Sequence, residues 1–337
     1  MALTYKSAGV DIQKIKKSQS AIGRIIASTH KNRNVKSGFG HYAGLVEIHG
    51  GRLLATHTDG VGTKVMIANA MKKYDTVGID CVAMNVNDII CIGARPVSFV
   101  DYIAANKNDQ AVFSQIARGL AAGAVKADVP IVGGETAIMP DLFEGRGFAF
   151  DLAGMVAGIV ERKDLVLGDR ISAGDAIIGM ESSGLHSNGY TLARKAILKK
   201  YSISDKVRGI GRIGEALLTP TQIYVRPVLE IISSFQVHGL ANITGGAFTK
   251  LLRLKKTGFV LDSMPEAPKI MQLIHGMGVG EDEMYKTFNM GIGFCVIVPK
   301  RQADKVITVC KRHKIGAQQI GNITRNRGVF VNARKIA

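Results

Sequence analysis

Along most of the chain, short apolar runs alternate with stretches in which apolar residues return every third or fourth position, so strands and helices interleave. Leu45-Val46-Glu47-Ile48, the Gly50-Gly51 pair and Leu53-Leu54-Ala55-Thr56-His57-Thr58 read as a hairpin that brings Asp59 to a strand end. Thr76 to Gly93 lacks glycine between Ile79 and Ile92 and reads as a buried helix, ended by Gly93 and blocked by Pro96. Ser98–Ala104, Pro130–Val132 and Ala149–Val160 read as strands. Turn residues and charges then cluster over Glu161–Asp175, which predicts a boundary at residue 165 and two domains, 1–165 and 166–337. Beyond it come a strand Ala176–Met180, a loop Ser182–Gly189, a helix Tyr190–Lys200, and a second loop Asn242–Gly246 before a helical pattern from Phe248 to Lys256. The expected class is α/β in the broad sense, with two mixed α/β domains.

Length agrees, because 337 residues exceed the roughly 100–200 of an ordinary single domain. A charged fraction of 21% beside 46% hydrophobic residues excludes a disordered chain. The net charge of +17 raises the question of nucleic acid, but its distribution answers it. Residues 1–36 carry 8 Lys and Arg against Asp11 alone, residues 300–337 carry 10 against Asp304 alone, and the centre is close to neutral. With 6% aromatic residues and no basic–aromatic interleaving, no nucleic-acid partner is expected. Cys81, Cys91, Cys295 and Cys310 form no C-x-x-C pair and lie in apolar runs, which argues for a reducing cytoplasm and against zinc. No apolar stretch reads as an export signal or a span, so no membrane is expected.

Candidate chemistry concentrates in loops beside helix starts, where free backbone N–H groups and glycines let phosphate oxygens approach. Thr58-Asp59-Gly60-Val61-Gly62-Thr63-Lys64 puts a carboxylate, glycines, a hydroxyl and an ammonium within seven positions, which suits magnesium and a triphosphate. Its spacing is not that of a Walker A loop. Asp80, Asn87 and Asp88 share one helical face, and Gly133-Gly134-Glu135-Thr136 closes an apolar strand with a further carboxylate. Asp59, Asp88 and Glu135 are therefore the metal candidates. Gly60, Gly62, Thr63, Lys64, Asp80, Asn87, Gly134 and Thr136 complete the expected nucleotide site. His186, among Ser182, Ser183, Ser187 and Asn188, suits phosphate contact or proton transfer, although Asp80 and Asn87 can equally satisfy buried partners and a loop histidine can be inert.

Taken together, these strings resemble phosphoribosylformylglycinamidine cyclo-ligases. The resemblance runs from Ala8-Gly9-Val10-Asp11 to Asn322 and includes Thr58–Lys64, Gly78–Asp88, Gly133–Thr136, Asp151–Gly154, Ser182–Tyr190, Pro220–Tyr224, Ile243–Gly246 and Phe288–Gly293, in the family's order. The resemblance implies an N-terminal domain whose sheet pairs with its twin in a homodimer, a C-terminal domain, and an active site in the cleft between the domains. It implies ATP and magnesium, and formylglycinamidine ribonucleotide as substrate, with the formyl oxygen taking the γ-phosphoryl group before a substrate nitrogen displaces it. Lys64 and His186 are then the expected catalytic groups, and Ser183, His186, Ser187, Asn188, Thr244, Gly245 and Gly246 the expected substrate contacts. Two positions depart from the family pattern: Asn242 stands where histidine is usual, and Gly40-His41 where a glycine pair is usual. Asparagine can hydrogen-bond but cannot act as an acid near neutral pH. A related thiamine-monophosphate kinase activity and a non-enzymic nucleic-acid binder are the competing readings.

Overall fold

The computed structural model describes residues 3–30, 34–36, 41–143 and 147–337; Gly40 lies outside them. Helix α1 (Ile12–Ile26) begins at Asp11, whose carboxylate accepts from the N–H groups of Gln13 and Lys14, an N-cap that fixes the helix start. The first sheet follows from β1 (Gly44–Ile48), β2 (Arg52–Gly60), β3 (Arg95–Ala105), β4 (Ile131–Ile138) and β5 (Phe150–Glu161), in the order β1-β2-β5-β3-β4. All neighbours are antiparallel except β3 and β4, whose parallel pairing requires the crossover helix α4 (Gln110–Ala127). The β1–β2 turn places Gly50 at φ 80° and Gly51 at φ 75°, a conformation that favours glycine.

Helices α2 (Val65–Met71) and α3 (Asp75–Ile89) lie between β2 and β3. From Val77 to Ile89, every residue of α3 but Ile79 is buried. Helix α4 packs on it so closely that a Cβ on Gly119 would stand 1.9 Å from the Asp75 carbonyl oxygen. The sheet's other face leaves Tyr102 and Met155 exposed.

The second half holds strands β6 (Ala176–Glu181), β7 (Lys206–Val207), β8 (Gly211–Arg212), β9 (Gly239–Asn242), β10 (Gly258–Leu261), β11 (Ile292–Val298), β12 (Ala317–Thr324), β13 (Gly328–Val331) and β14 (Arg334–Lys335). Seven of them form a sheet in the order β14-β13-β10-β12-β6-β11-β9, and β7 and β8 make a separate hairpin. Strand β11 is buried at every position, as its unbroken apolar sequence demands. Helices α5 (Tyr190–Ile197), α6 (Ile213–Leu218), α7 (Val225–Ser234), α8 (Lys269–Gly276), α9 (Glu281–Thr287) and α10 (Ala303–Arg312) complete this half. Two mixed α/β units are therefore present, as expected. Among the described residues, no helix is long and apolar enough to cross a membrane.

Two local expectations change. Gly133–Thr136 does not close its strand but continues it, because Gly133 to Ile138 all pair with β3. The pattern after Gly246 forms a 3₁₀ helix, Ala247–Arg253, rather than an α-helix.

Candidate functional site

One face of α3 supplies the polar groups that join the two halves. At its N-terminal end, Asp80 is fully buried and pairs with the fully buried Lys64, Nζ to Oδ2 at 2.7 Å. The backbone N–H and the hydroxyl of Thr221 donate to Asp80 Oδ1 at 2.7 and 2.6 Å. Two turns further on, Asn87 donates to the Gln222 carbonyl at 2.8 Å and accepts from the Tyr224 N–H at 3.0 Å. Asp88 accepts from the Asn242 side-chain amide at 2.6 Å, and His57 Nε2 stands 3.6 Å from its other oxygen. The shared face predicted for Asp80, Asn87 and Asp88 exists, and it looks onto the second half.

Asp59 joins the Asp88 end. It is held by Asn85, whose side chain accepts from the Asp59 N–H at 2.9 Å and donates to its carbonyl at 3.1 Å. Burial, and then the negative charge of Asp88, push the Asp59 carboxyl above its ordinary range, with His57, the Gly60 N–H and Lys250 offsetting part of the effect. Lys250 is almost wholly buried, donates to the Thr244 hydroxyl, and lies 5.9 Å above the ring centre of Tyr42. Burial lowers the Lys250 ammonium's affinity for its proton, while Asp88 and Asp59 raise it.

The two glycine-rich loops converge over the same helix. Asn188 reaches the Met84 sulfur at 3.9 Å, and its Oδ1 lies 3.2 Å from where a Cβ on Gly245 would project. Ser187 and Thr221 hydroxyls are 3.2 Å apart, Ser183 donates to the Pro220 carbonyl at 2.6 Å, and Thr63 contacts Thr191 at 3.3 Å. The structure thus gathers Asp59, Asp88, Asn188, Thr244, Gly245 and Gly246 at one seam, with Gly60 and Gly62 leading from β2 into α2.

Three expected roles do not match this geometry. Lys64 is fully buried, donates to the Thr219 carbonyl at 2.7 Å and the His186 carbonyl at 3.2 Å and stands 2.7 Å from Asp80 Oδ2, so its ammonium is engaged within the seam and not presented to a phosphate. His186 is fully buried, and burial followed by the Lys64 charge pushes its ring down to about 3, so it is neutral and not a phosphate-binding cation. Its Nε2 accepts from the Ser183 N–H at 3.2 Å, which leaves the proton on Nδ1. Glu135 is the third. Asp59, Gly154, Asp101 and Gly134 pair in one row across β2, β5, β3 and β4, so Glu135 is on the opposite face, about 14 Å away at three strand spacings. Gly134, Glu135 and Thr136 are exposed on the edge strand, and among the described residues no group of three His, Cys, Asp or Glu side chains could hold a metal.

Three participants carry no motif in the sequence: Tyr42, His57 and Lys250; Thr221 lies in the Pro220–Tyr224 string, but nothing local ties it to Asp80. His57 alone was recoverable locally, because it lies two residues before Asp59 on a strand and so shares its face.

The AIR synthase related protein N-terminal domain family matches residues 40–160, and the corresponding C-terminal domain family matches residues 172–334. A phosphoribosylformylglycinamidine cyclo-ligase of Thermococcus gammatolerans is 46% identical over 334 residues, 98% of either chain. Among solved structures, thiamine-monophosphate kinase from Stenotrophomonas maltophilia superposes with a TM-score of 0.65 at 19% identity, over 94% of this chain and 97% of the other. AaThiL complexed with AMPPCP and TMP does so with a TM-score of 0.63 at 18% identity, over 94% of each chain. These two establish the fold alone, whereas the cyclo-ligase likeness spans the whole sequence at high identity. The chain belongs to the AIR synthase related proteins and, within them, to the phosphoribosylformylglycinamidine cyclo-ligase family.

Proposed function

We propose that this chain is an ATP-dependent ligase that closes the ring of formylglycinamidine ribonucleotide to give 5-aminoimidazole ribonucleotide, ADP and phosphate. The observation that carries the reading is the full-length identity of 46% to a cyclo-ligase, joined to a seam where carboxylates of one half face the glycine-rich loops of the other. An amide oxygen is a weak nucleophile, so the site must hold it in line with the γ-phosphorus and stabilise charge as it develops. The amide oxygen–phosphorus bond forms as the bond to ADP breaks. A substrate nitrogen then attacks the imidoyl carbon, phosphate leaves, and the nitrogen loses a proton.

Asp59 and Asp88 fit magnesium: both offer hard oxygen donors, and their mutual repulsion in a buried setting is relieved by a divalent cation. Asp59 and Asp88 would hold the magnesium, which when bound would supply positive charge against the phosphates. Gly60, Gly62 and Thr63 are the backbone and hydroxyl donors proposed for the nucleotide. Ser183, Ser187, Asn188 and the Thr244–Gly246 loop are proposed for the ribonucleotide. Lys64, Asp80, Asn87 and His186 act in this reading as positioning residues that lock the two halves together around α3.

The exposed face of the first sheet, with Tyr102 and Met155 uncovered, supports a homodimer formed through it. The four free, buried cysteines suit a reducing cytoplasm. The test is incubation with formylglycinamidine ribonucleotide, ATP and magnesium while aminoimidazole ribonucleotide, ADP and phosphate are followed together. Equal appearance of all three supports the reading; a phosphorylated product without free phosphate replaces it with a phosphotransferase.

A further inference from the structure

A buried polar atom without a partner costs on the order of 1–3 kcal/mol, so a ligand that meets several such atoms at one place is favoured there. Such atoms cluster beside Asp88. The Tyr42 hydroxyl has no hydrogen-bond partner although Tyr42 is 1% exposed, and Asn242 Oδ1 has none although Asn242 is also 1% exposed. The orientation of Asn242 is not arbitrary: its amide nitrogen must face the Asp88 carboxylate at 2.6 Å, so the oxygen is turned away from it as a free acceptor. Lys250 completes the group. Among the described residues its ammonium makes one hydrogen bond, to Thr244, and its charge is felt by both Asp88 and Asp59. Tyr42 lies under that ammonium and has Asp88 as an electrostatic neighbour as well. His57, Asp59, Gly245 and Gly246 are only partly buried.

The inventory is specific. A cation and a hydroxyl can both donate to one anionic oxygen, while an adjacent amide oxygen can only accept. A ligand that presents an oxygen next to an N–H matches it, and the reacting end of the substrate, an amide oxygen beside an amidine, has that arrangement. We propose that Tyr42, Asn242 and Lys250 form the subsite that reads this end: the Lys250 ammonium and Tyr42 hydroxyl donate to the oxygen that takes the phosphoryl group, and Asn242 Oδ1 accepts from an amidine N–H. The assignment rests on the ring-closing reading. It also gives Asn242 a role that needs no acid, so the departure from the family's histidine costs the site no proton donor that it uses.

The deciding variant is Tyr42→Phe, which removes only the unpartnered hydroxyl. A hydroxyl buried without a partner weakens the free protein, so the variant keeps or raises the melting temperature. The KM for formylglycinamidine ribonucleotide rises about 10-fold, the loss of roughly one hydrogen bond, while the KM for ATP is unchanged. Lys250→Met lowers kcat about 100-fold, as loss of one donor to a developing oxyanion does, and Lys250→Arg recovers part of it. An unchanged KM for the ribonucleotide in Tyr42→Phe overturns the assignment whatever the melting temperature does. If Tyr42→Phe does not fold, the Lys250 pair decides: equal kcat for Met and Arg overturns it, and partial recovery by Arg supports it. Calorimetric titration of formylglycinamidine ribonucleotide into wild type and Tyr42→Phe, without ATP, separates the two levels of the argument. Weakened binding supports the subsite even if wild type fails to close the ring, and equal binding refutes the subsite even if the ring-closing reading holds.

Discussion

Lys64→Met tests whether the lysine of the Thr58–Lys64 string works on a phosphate or holds the molecule together. In the structure its ammonium and the Asp80 carboxylate are both fully buried, 2.7 Å apart. Removing Lys64 leaves Asp80 with the two hydrogen bonds from Thr221 but with no counter-charge. An unpaired buried charge of this kind costs about 3–5 kcal/mol. At about 2–4 °C per kcal/mol for a domain of this size, the melting temperature falls by roughly 6–20 °C. The double variant Lys64→Met, Asp80→Asn removes both charges while the new amide oxygen still accepts from Thr221, so it recovers at least about half of the lost stability. Urea unfolding gives the stability of wild type, both single variants and the double variant, and steady-state assays below the transition give kcat for the fraction that is folded. A positioning role predicts kcat within about 100-fold of wild type in the folded Lys64→Met protein, the range that misplacement without lost chemistry reaches. Stability unchanged to within about 1 kcal/mol, together with a fall in kcat of about 1,000-fold, would refute this and return Lys64 to the phosphates.

Three further outcomes follow from the same geometry. His186 is neutral in the folded chain down to about 3 but binds a proton near 6.5 when unfolded, so stability is fully present above pH 6.5 and is lost as pH falls toward 3. The loss approaches about 5 kcal/mol, and His186→Phe flattens the unfolding free energy across that window; an equally steep profile in the variant assigns the acid sensitivity elsewhere. Asp59→Asn abolishes magnesium–ATP turnover while leaving circular dichroism and melting temperature near wild type, and retained turnover removes Asp59 from the metal site. Gly119→Ala drives a methyl against the Asp75 carbonyl, forces α3 and α4 apart and costs about 1–3 kcal/mol; an unchanged urea midpoint refutes the tight crossing.

The local elements were legible because their signals are local. The Gly50-Gly51 turn, the strand carrying Asp59, the stop at Gly93, which caps the 3₁₀ turn Ile90–Ile92 that follows α3, and the loop Ser182–Gly189 each follow from period and turn chemistry within about ten residues. The alignment of Asp80, Asn87 and Asp88 was legible for the same reason, since helical pitch alone puts them on one face. Which strand lay where was not. Glu135 follows two glycines much as a phosphate-site residue would, yet β4 pairs with β3 at the sheet edge and turns its side chain to the opposite face from Asp59.

What the sequence by itself determined is therefore the set of elements, the loops between them and the family, all of which depend on residues close in the chain or on the order of many short strings. Only the tertiary structure decided the charge state and availability of each candidate. Lys64 loses its freedom to Asp80, Thr219 and His186, and Tyr42 meets Asn242 and Lys250 of one short segment around Asp88, far from either in the chain. Burial and counter-charge belong to the packed pair of halves and to neither segment alone, so no spacing along the chain could encode them in readable form.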